Sequence, residues 1–178
     1  MSGLAEQVSP SVVAPSTGPV RPRVYTPEQR RLRDASRWTL VQGLLAPVQF
    51  LVFLVSLALV VRYLLTGAGY GAATVSVVVK TLTLYAIMIT GSIWEHAVFG
   101  RYLFAPSFFW EDVFSMLVLA LHTAYLGLLG WGRATPTTLM VLALAAYATY
   151  LINAGQFLYK LRLARREERE DRRRMSTR

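Results

Sequence analysis

The sequence contains no cysteine, and this absence removes a whole group of chemistries. Disulfides, thiolate metal sites and cysteine nucleophiles are all excluded. The chain also has no glycine-rich phosphate loop, no HExxH zinc motif, no GxSxG nucleophile elbow and no c-type haem motif. We therefore expect no cofactor, and a reaction would have to use acid–base side chains and water.

The first 24 residues lack the sustained apolar run of a secretory signal peptide. Proline and serine are frequent there, so we predict a disordered tail over residues 1–24. A short helix should follow, because Thr26 can cap it, Pro27 suits its first position and Gln29 completes a capping box. We expect the arginines of this helix to contact anionic lipid headgroups.

Charge is scarce in the middle of the chain and concentrated at its ends. The net charge is +9, and 15 of the 19 Lys and Arg residues lie in residues 1–37 and 160–178. Hydrophobic residues make up 54% of the chain, more than is usual in a soluble domain. Basic ends that flank apolar segments indicate a membrane protein rather than a nucleic-acid-binding one. We expect no nucleic-acid partner.

Four apolar segments are long enough to cross a bilayer as α-helices: Thr39–Leu65, Ala72–Ile93, Asp112–Trp131 and Pro136–Tyr159. The stretches TGAGYG and GWGRAT predict tight hairpins between the first two and the last two segments. The predicted fold class is all-α, an integral membrane bundle of four transmembrane helices over residues 25–165. The charged C-terminal tail, residues 166–178, should extend the last helix into water, with its acidic side chains on a solvated face.

An even number of spans places both termini on the same side of the membrane. The basic residues accumulate at the termini, whereas the two short hairpins hold only Arg133, with Arg62 just inside the first span. The positive-inside rule therefore predicts that both termini are cytoplasmic. The longer connection between the second and third spans is then cytoplasmic as well.

Four titratable residues flank this longer connection. Glu95 and His96 end the second helix, and Glu111 and Asp112 begin the third. All four can converge at the cytoplasmic interface, or each can simply face water. Adjacent residues lie about 100° apart around a helix, so we expect at most one of each pair to face the bundle.

Other polar residues lie inside the apolar segments, where they are costly. His122 follows Glu111 by about 16 Å along one helix face. It is either a hydrogen-bonded core residue or a ligand to the metal of a bound tetrapyrrole. Lys80 can snorkel to the far interface, pair with a carboxylate or contact a substrate, and we favour a structural use. Hydrogen bonds between helices are expected from a further set of polar residues: Gln42, Gln49, Ser56, Asn153 and Gln156.

The longer connection, WEHAVFGRYLFAPSFFWED, is rich in aromatic residues, including Tyr102, Phe109 and Trp110. Aromatic residues gather at membrane interfaces, and they also suit stacking against a planar ligand. Arg101 lies among them and can meet a carboxylate.

The chain closely resembles the 3-vinyl bacteriochlorophyllide hydratase family in YTPEQRRLRDASRWTLVQGLLAPVQFLVFLVSLALVVRYL, VVVKTLTLYAIMITGSIWE, LFAPSFFWEDVFSMLVLALHTAYL and ALAAYATYLINAGQFLYKLRLAR. This resemblance implies a small integral membrane enzyme of bacteriochlorophyll synthesis. It would add water across the C3 vinyl group of chlorophyllide or bacteriochlorophyllide to give a 3-(1-hydroxyethyl) group. The implied location is the inner membrane, cytoplasmic or intracytoplasmic, of a phototrophic bacterium. The implied partners are the pigment, the lipid bilayer, and other pigment-synthesis enzymes or a second copy of the chain.

Such a hydration needs an acid to protonate the terminal vinyl carbon, a base to position the water and a dry platform for the ring. We expect Glu111 or Glu95 to be the acid and Asp112 to be the base. The residues expected to contact the substrate are His122 at its magnesium, Arg101 at its propionate, and Tyr102, Phe109 and Trp110 at its ring.

Two other classes of protein fit the same residues. A pigment-binding or assembly subunit of a photosynthetic complex would use His122 and the aromatic residues without catalysis. A small transporter or proton channel would use Lys80 and the acidic residues, although the sequence shows no clear internal repeat of the kind many transporters have.

Overall fold

A computed structural model describes residues 23–177, so the predicted disordered tail lies almost entirely outside the described residues. The described part forms five helices and no strand: α1 Pro27–Ala35, α2 Arg37–Thr66, α3 Tyr70–Phe99, α4 Phe109–Trp131 and α5 Pro136–Ser176. The four predicted apolar segments lie within α2 to α5. The all-α prediction is therefore confirmed.

The first helix begins as its sequence predicts. The Thr26 hydroxyl accepts a hydrogen bond from the Gln29 backbone N–H at 3.2 Å, and the Gln29 side chain accepts one from the Thr26 N–H at 2.9 Å. This reciprocal pair is the predicted capping box. Ser36 then ends α1 and caps α2 by accepting a hydrogen bond from the Trp38 N–H.

Two tight hairpins organise the bundle. Gly67, Gly69 and Gly132 have positive φ angles of 70°, 87° and 65°, a backbone conformation that glycine adopts without a steric penalty. These turns pack α2 against α3 and α4 against α5, while α2 also contacts α5. The four long helices thus enclose one interior.

The outward faces of the long helices are apolar. Leu40, Leu51 and Leu65 expose 78%, 62% and 80% of their surface, and many other large apolar side chains are similarly uncovered. In water such a surface would promote aggregation, but in a bilayer it contacts lipid tails. All four helices are long and apolar enough to cross a membrane, which identifies a multi-pass membrane protein.

Hydrogen bonds between helices join the interior, as predicted for Gln42, Ser56 and Asn153. The prediction is not met at Gln49 and Gln156, whose side-chain carbonyl oxygens have no hydrogen-bond partner among the described residues. The Gln42 amide donates to the Thr90 hydroxyl at 2.7 Å. The Ser56 hydroxyl lies 2.5 Å from the Tyr147 hydroxyl and so connects α2 to α5. Because lipid offers no competing partner, such bonds help to fix the register of the helices.

Lys80 does not reach either interface. Its side chain is fully buried, and its ammonium lies 3.8 Å from the centroid of the Tyr150 ring. Its Nζ atom has no hydrogen-bond partner among the described residues. The predictions of snorkelling and of a carboxylate partner are therefore wrong, because the ring face of Tyr150 holds the cation inside the bundle.

The last helix continues beyond its apolar part to Ser176, which confirms the predicted extension. Its acidic side chains are not all directed to solvent, however. Arg30 and Arg33 of α1 form ion pairs with this extension instead of leaving their guanidinium groups free for lipid headgroups. The headgroup prediction is wrong for these two residues, because α1 packs beside the extension.

The orientation of the bundle in the membrane, with both termini cytoplasmic, remains a prediction. Because the chain has no cysteine, a single introduced cysteine is the sole thiol that a reagent can label. We expect a single cysteine introduced at Arg172 to lie in the cytoplasm and one at Ala68 to lie on the opposite side. A membrane-impermeant maleimide should label Arg172→Cys, but not Ala68→Cys, in sealed inside-out vesicles. Labelling in the reverse pattern would show that the termini are outside.

Candidate active site

The connection between α3 and α4, residues 100–108, folds over the ends of both helices. It starts at Gly100, whose φ of 73° ends α3, and it buries Ala105 and Phe108. The Ser92 hydroxyl donates a hydrogen bond to the Tyr102 carbonyl at 2.6 Å and fixes the start of the connection to α3. The connection therefore forms a cover on this end of the bundle.

Two acidic residues lie beneath this cover and contact each other. Glu95 comes from α3 and Asp112 from α4, and their carboxyl groups are within hydrogen-bonding reach. The Ala105 N–H donates to Glu95 Oε1 at 2.6 Å, and the Phe104 N–H donates to Asp112 Oδ2 at 2.7 Å. Only 4% of Glu95 and 6% of Asp112 is exposed. The connection and the acidic pair thus hold each other in place.

The Glu95–Asp112 pair has a defined chemical capability. Two carboxylates in contact repel each other strongly in a poorly hydrated site, so such pairs hold one proton between them. The member that carries the proton can act as a general acid, and its ionised partner can act as a general base.

Glu111 is also buried, but it faces a different helix. Its Oε1 atom lies 3.6 Å from the Lys160 ammonium of α5, and Lys160 donates a hydrogen bond to the Ser107 carbonyl at 2.5 Å. The expectation that only one of Glu111 and Asp112 faces inward is therefore wrong. Asp112 points to the connection and Glu111 points to α5, so both are covered.

The adjacent residues Glu95 and His96 follow the expectation that at most one residue of each pair faces the bundle. Glu95 is buried, whereas His96 is exposed and its ring stacks on Tyr102 at a centroid distance of 4.2 Å. Three of the four titratable residues that flank the connection therefore converge, and His96 does not.

The backbone of Phe104 has an unusual conformation, which no pattern in the amino-acid sequence predicts. Its φ is +60°, a left-handed conformation that costs a non-glycine residue about 1–3 kcal/mol. The N–H of this same residue donates to Asp112. Backbone strain of this kind concentrates at functional sites, where the surrounding contacts maintain it.

The predicted ring-contacting residues form an exposed aromatic surface beside the connection. Tyr102, Phe109 and Trp110 expose 60%, 45% and 66% of their surface, and Arg101 is also exposed. Phe109 lies 5.6 Å from Trp110 in an edge-to-face arrangement. Phe109 and Trp110 directly precede Glu111 on α4, so this surface adjoins the buried acids.

His122 lies apart from the acids, in the middle of the bundle. Its Nδ1 atom is 2.8 Å from the Val118 carbonyl, which can only accept, so Nδ1 carries the proton. Nε2 then has a free lone pair, and it has no partner among the described residues. This is the tautomer of a metal-ligating histidine whose other nitrogen is fixed by a carbonyl. The side chain is fully buried, so the structure does not bring it to the Glu95–Asp112 pair.

Fold and site together define a multi-pass helical membrane protein with two buried acidic residues, Glu95 and Asp112, under a cover at one end of its bundle. Comparison with known protein families identifies one family within this class of membrane proteins. The chain belongs to the family described as 2-vinyl bacteriochlorophyllide hydratase (BCHF), which matches residues 25–163. The matched region includes all the residues of the candidate site.

Two curated relatives support this assignment. A 2-vinyl bacteriochlorophyllide hydratase of Cereibacter sphaeroides is 66% identical over 151 residues, which cover 84% of this chain and 94% of the relative. Another, of Rhodobacter capsulatus, is 66% identical over 147 residues, which cover 83% of this chain and 85% of the relative. No solved structure matches the chain.

The contact between Glu95 and the connection can be tested without substrate. Glu95→Ala leaves the buried Ala105 N–H without its acceptor, which should cost about 1–3 kcal/mol of local stability. We expect faster amide hydrogen exchange at residues 104–105 of the detergent-solubilised protein. Glu170→Ala, at an exposed acidic residue of α5, is the matched control and should leave this exchange unchanged. Equal exchange in the two variants would show that Glu95 does not hold the connection.

Proposed function

We propose that the protein adds water to the ring vinyl group of chlorophyllide or bacteriochlorophyllide, giving a 1-hydroxyethyl group. The family name numbers this vinyl group as position 2, and it is the same group as the C3 vinyl group named above. The family match and the two relatives support the substrate and the reaction. The observation that carries the mechanism is the contact between the Glu95 and Asp112 carboxyl groups under the connection.

The proposed reaction has two steps. A carboxylic acid transfers its proton to the terminal vinyl carbon, which becomes a methyl group, and the carbon beside the macrocycle becomes a cation that the ring delocalises. Water then attacks this cation, and a carboxylate removes the surplus proton from the attacking oxygen. The net change is the addition of one water molecule, and the enzyme returns to its starting protonation state.

Glu95 is the better candidate for the acid. Its carboxyl group contacts another carboxyl group, whereas Glu111 lies 3.6 Å from the Lys160 ammonium. A buried carboxyl group beside a second carboxyl group retains its proton more readily, because two adjacent negative charges repel each other. Asp112 adjoins both Glu95 and Glu111 and is the candidate base.

The aromatic surface is the proposed platform for the macrocycle. Tyr102, Phe109 and Trp110 offer ring faces and edges at the end of the bundle, and Arg101 can pair with the propionate. The connection covers the acids, so the vinyl group reaches them only when residues 100–108 shift. His122 is the proposed magnesium ligand, and its use requires the helices around it to separate locally.

We also propose that the protein resides in the inner membrane, cytoplasmic or intracytoplasmic, of a phototrophic bacterium. The substrate class named for its relatives is a precursor of a photosynthetic pigment. Chlorophyllide combines an apolar ring with an ionised propionate, so it should lie at a membrane interface. The aromatic surface and Arg101 match these two parts of the molecule.

Isosteric changes at the acidic pair should abolish most of the activity. We expect Glu95→Gln and Asp112→Asn each to lower kcat by about 10²-fold or more, because positioned acid–base groups contribute 10²–10⁴-fold. Activity is measured as conversion of the vinyl pigment to the hydroxyethyl pigment by the purified protein in lipid vesicles.

Glu170→Gln is the control, since Glu170 is an exposed acidic residue of α5 outside the connection and the aromatic surface, and it should retain the wild-type kcat. Wild-type turnover in Glu95→Gln, Asp112→Asn and Glu111→Gln alike would refute the acid–base assignment. Stable pigment binding without any hydroxyethyl product, even in the wild-type protein, would instead indicate a pigment carrier.

The role of His122 has a spectroscopic test. If Nε2 ligates the magnesium, His122→Ala should weaken binding of the magnesium pigment by about tenfold or more and shift its bound absorption spectrum. Binding of the same pigment without magnesium should be unaffected. An unchanged affinity and spectrum with the magnesium pigment would exclude the ligand role.

A further inference from the structure

The amino-terminal segment before α2 is bound to the far end of α5 by a set of ion pairs. Asp171 accepts hydrogen bonds from Arg23, at 3.0 and 3.2 Å, and from Arg30, at 2.7 Å. Arg33 lies 2.7 Å from Glu168, and the Val24 N–H points to the Glu167 carboxylate. Single exposed ion pairs contribute little to stability, but several that share partners make a network.

Tyr25 is a buried aromatic residue that lies beside this network. Only 7% of its surface is exposed, and the Arg33 guanidinium lies 5.0 Å from its ring centroid. The Tyr25 ring also contacts two phenylalanine rings. Phe99 stacks on it with an interplanar angle of 20° at 5.8 Å, and Phe108 is tilted against it at 6.0 Å.

These two phenylalanines flank the connection that covers the acids. Phe99 is the last residue of α3, directly before the connection, and Phe108 is the last residue of the connection and the N-cap of α4. Tyr25 therefore contacts both ends of the connection at once. The connection in turn supplies the two backbone N–H groups that hold Glu95 and Asp112.

We propose that Tyr25, fixed by the ion pairs of residues 23–33 with α5, is a positioning residue for the acidic pair. It acts by clamping the two ends of the connection, and it does not touch the substrate. The exposed part of the molecule thereby sets the geometry of a site inside it. The proposal rests on the proposed function only for its kinetic readout.

Tyr25→Ala removes the clamp, and Tyr25→Phe keeps the ring and so serves as the conservative control. In Tyr25→Ala we expect amide exchange at Phe104 and Ala105 to rise by about tenfold. In the same variant kcat should fall by about tenfold while KM stays within about twofold, because acids that are misplaced slow the chemical step more than they weaken binding. Tyr25→Phe should match the wild-type protein in both measurements.

The ion pairs have their own matched control. Asp171→Asn removes the partner of Arg23 and Arg30, whereas Glu170→Gln alters the neighbouring, exposed acid. We expect Asp171→Asn to shift exchange and kcat in the same direction as Tyr25→Ala, by about threefold, since exposed pairs contribute less than a buried ring. Glu170→Gln should change neither. This comparison decides the question if Tyr25→Ala does not fold.

Wild-type exchange at Phe104 and Ala105 in both Tyr25→Ala and Asp171→Asn would overturn the proposal. So would a Tyr25→Phe variant as impaired as Tyr25→Ala. The exchange measurement needs no substrate, so it remains decisive even if the wild-type protein shows no hydration. Failure of the proposed function and failure of this inference are therefore distinguished.

Discussion

The rest of this end of the structure depends on one contact, between the carboxyl groups of Glu95 and Asp112. Each carboxyl group also accepts a hydrogen bond from the backbone of the connection, at Ala105 and Phe104. The pair attaches the connection to both α3 and α4, and in the proposed mechanism it keeps a transferable proton away from water. The same carboxyl groups therefore stabilise this end of the bundle and, in the proposed mechanism, transfer the proton.

Burial gives this pair its reactivity and also restricts its use. Acids that were exposed would simply ionise and be hydrated, and they could not protonate an alkene. Acids that are covered cannot meet a vinyl group until the cover moves. The position of the cover depends on the strained backbone of Phe104 and on the contacts of Tyr25 with Phe99 and Phe108. Control of the connection is thus part of the proposed catalysis.

The interior of the bundle contains a second polar region, which is distinct from the acids. Lys80 is held on the ring of Tyr150, and His122 is held on the Val118 carbonyl with its Nε2 lone pair free. Such groups are costly within a membrane and usually indicate function. His122 and the aromatic surface would contact the pigment in different places, and the spectrum of the bound pigment discriminates between them.

The four spans, the hairpins and the capping box at Thr26 can all be predicted from the order of the amino acids, because hydrophobic length and turn chemistry are local properties. The same reading indicates that acidic residues gather beside the longer connection. The contacts of Asp112 with Glu95, of Glu111 with Lys160 and of Tyr25 with Phe108 become visible only when the chain is folded. These contacts join residues far apart in the chain, and helical periodicity gives no information on which faces of different helices meet.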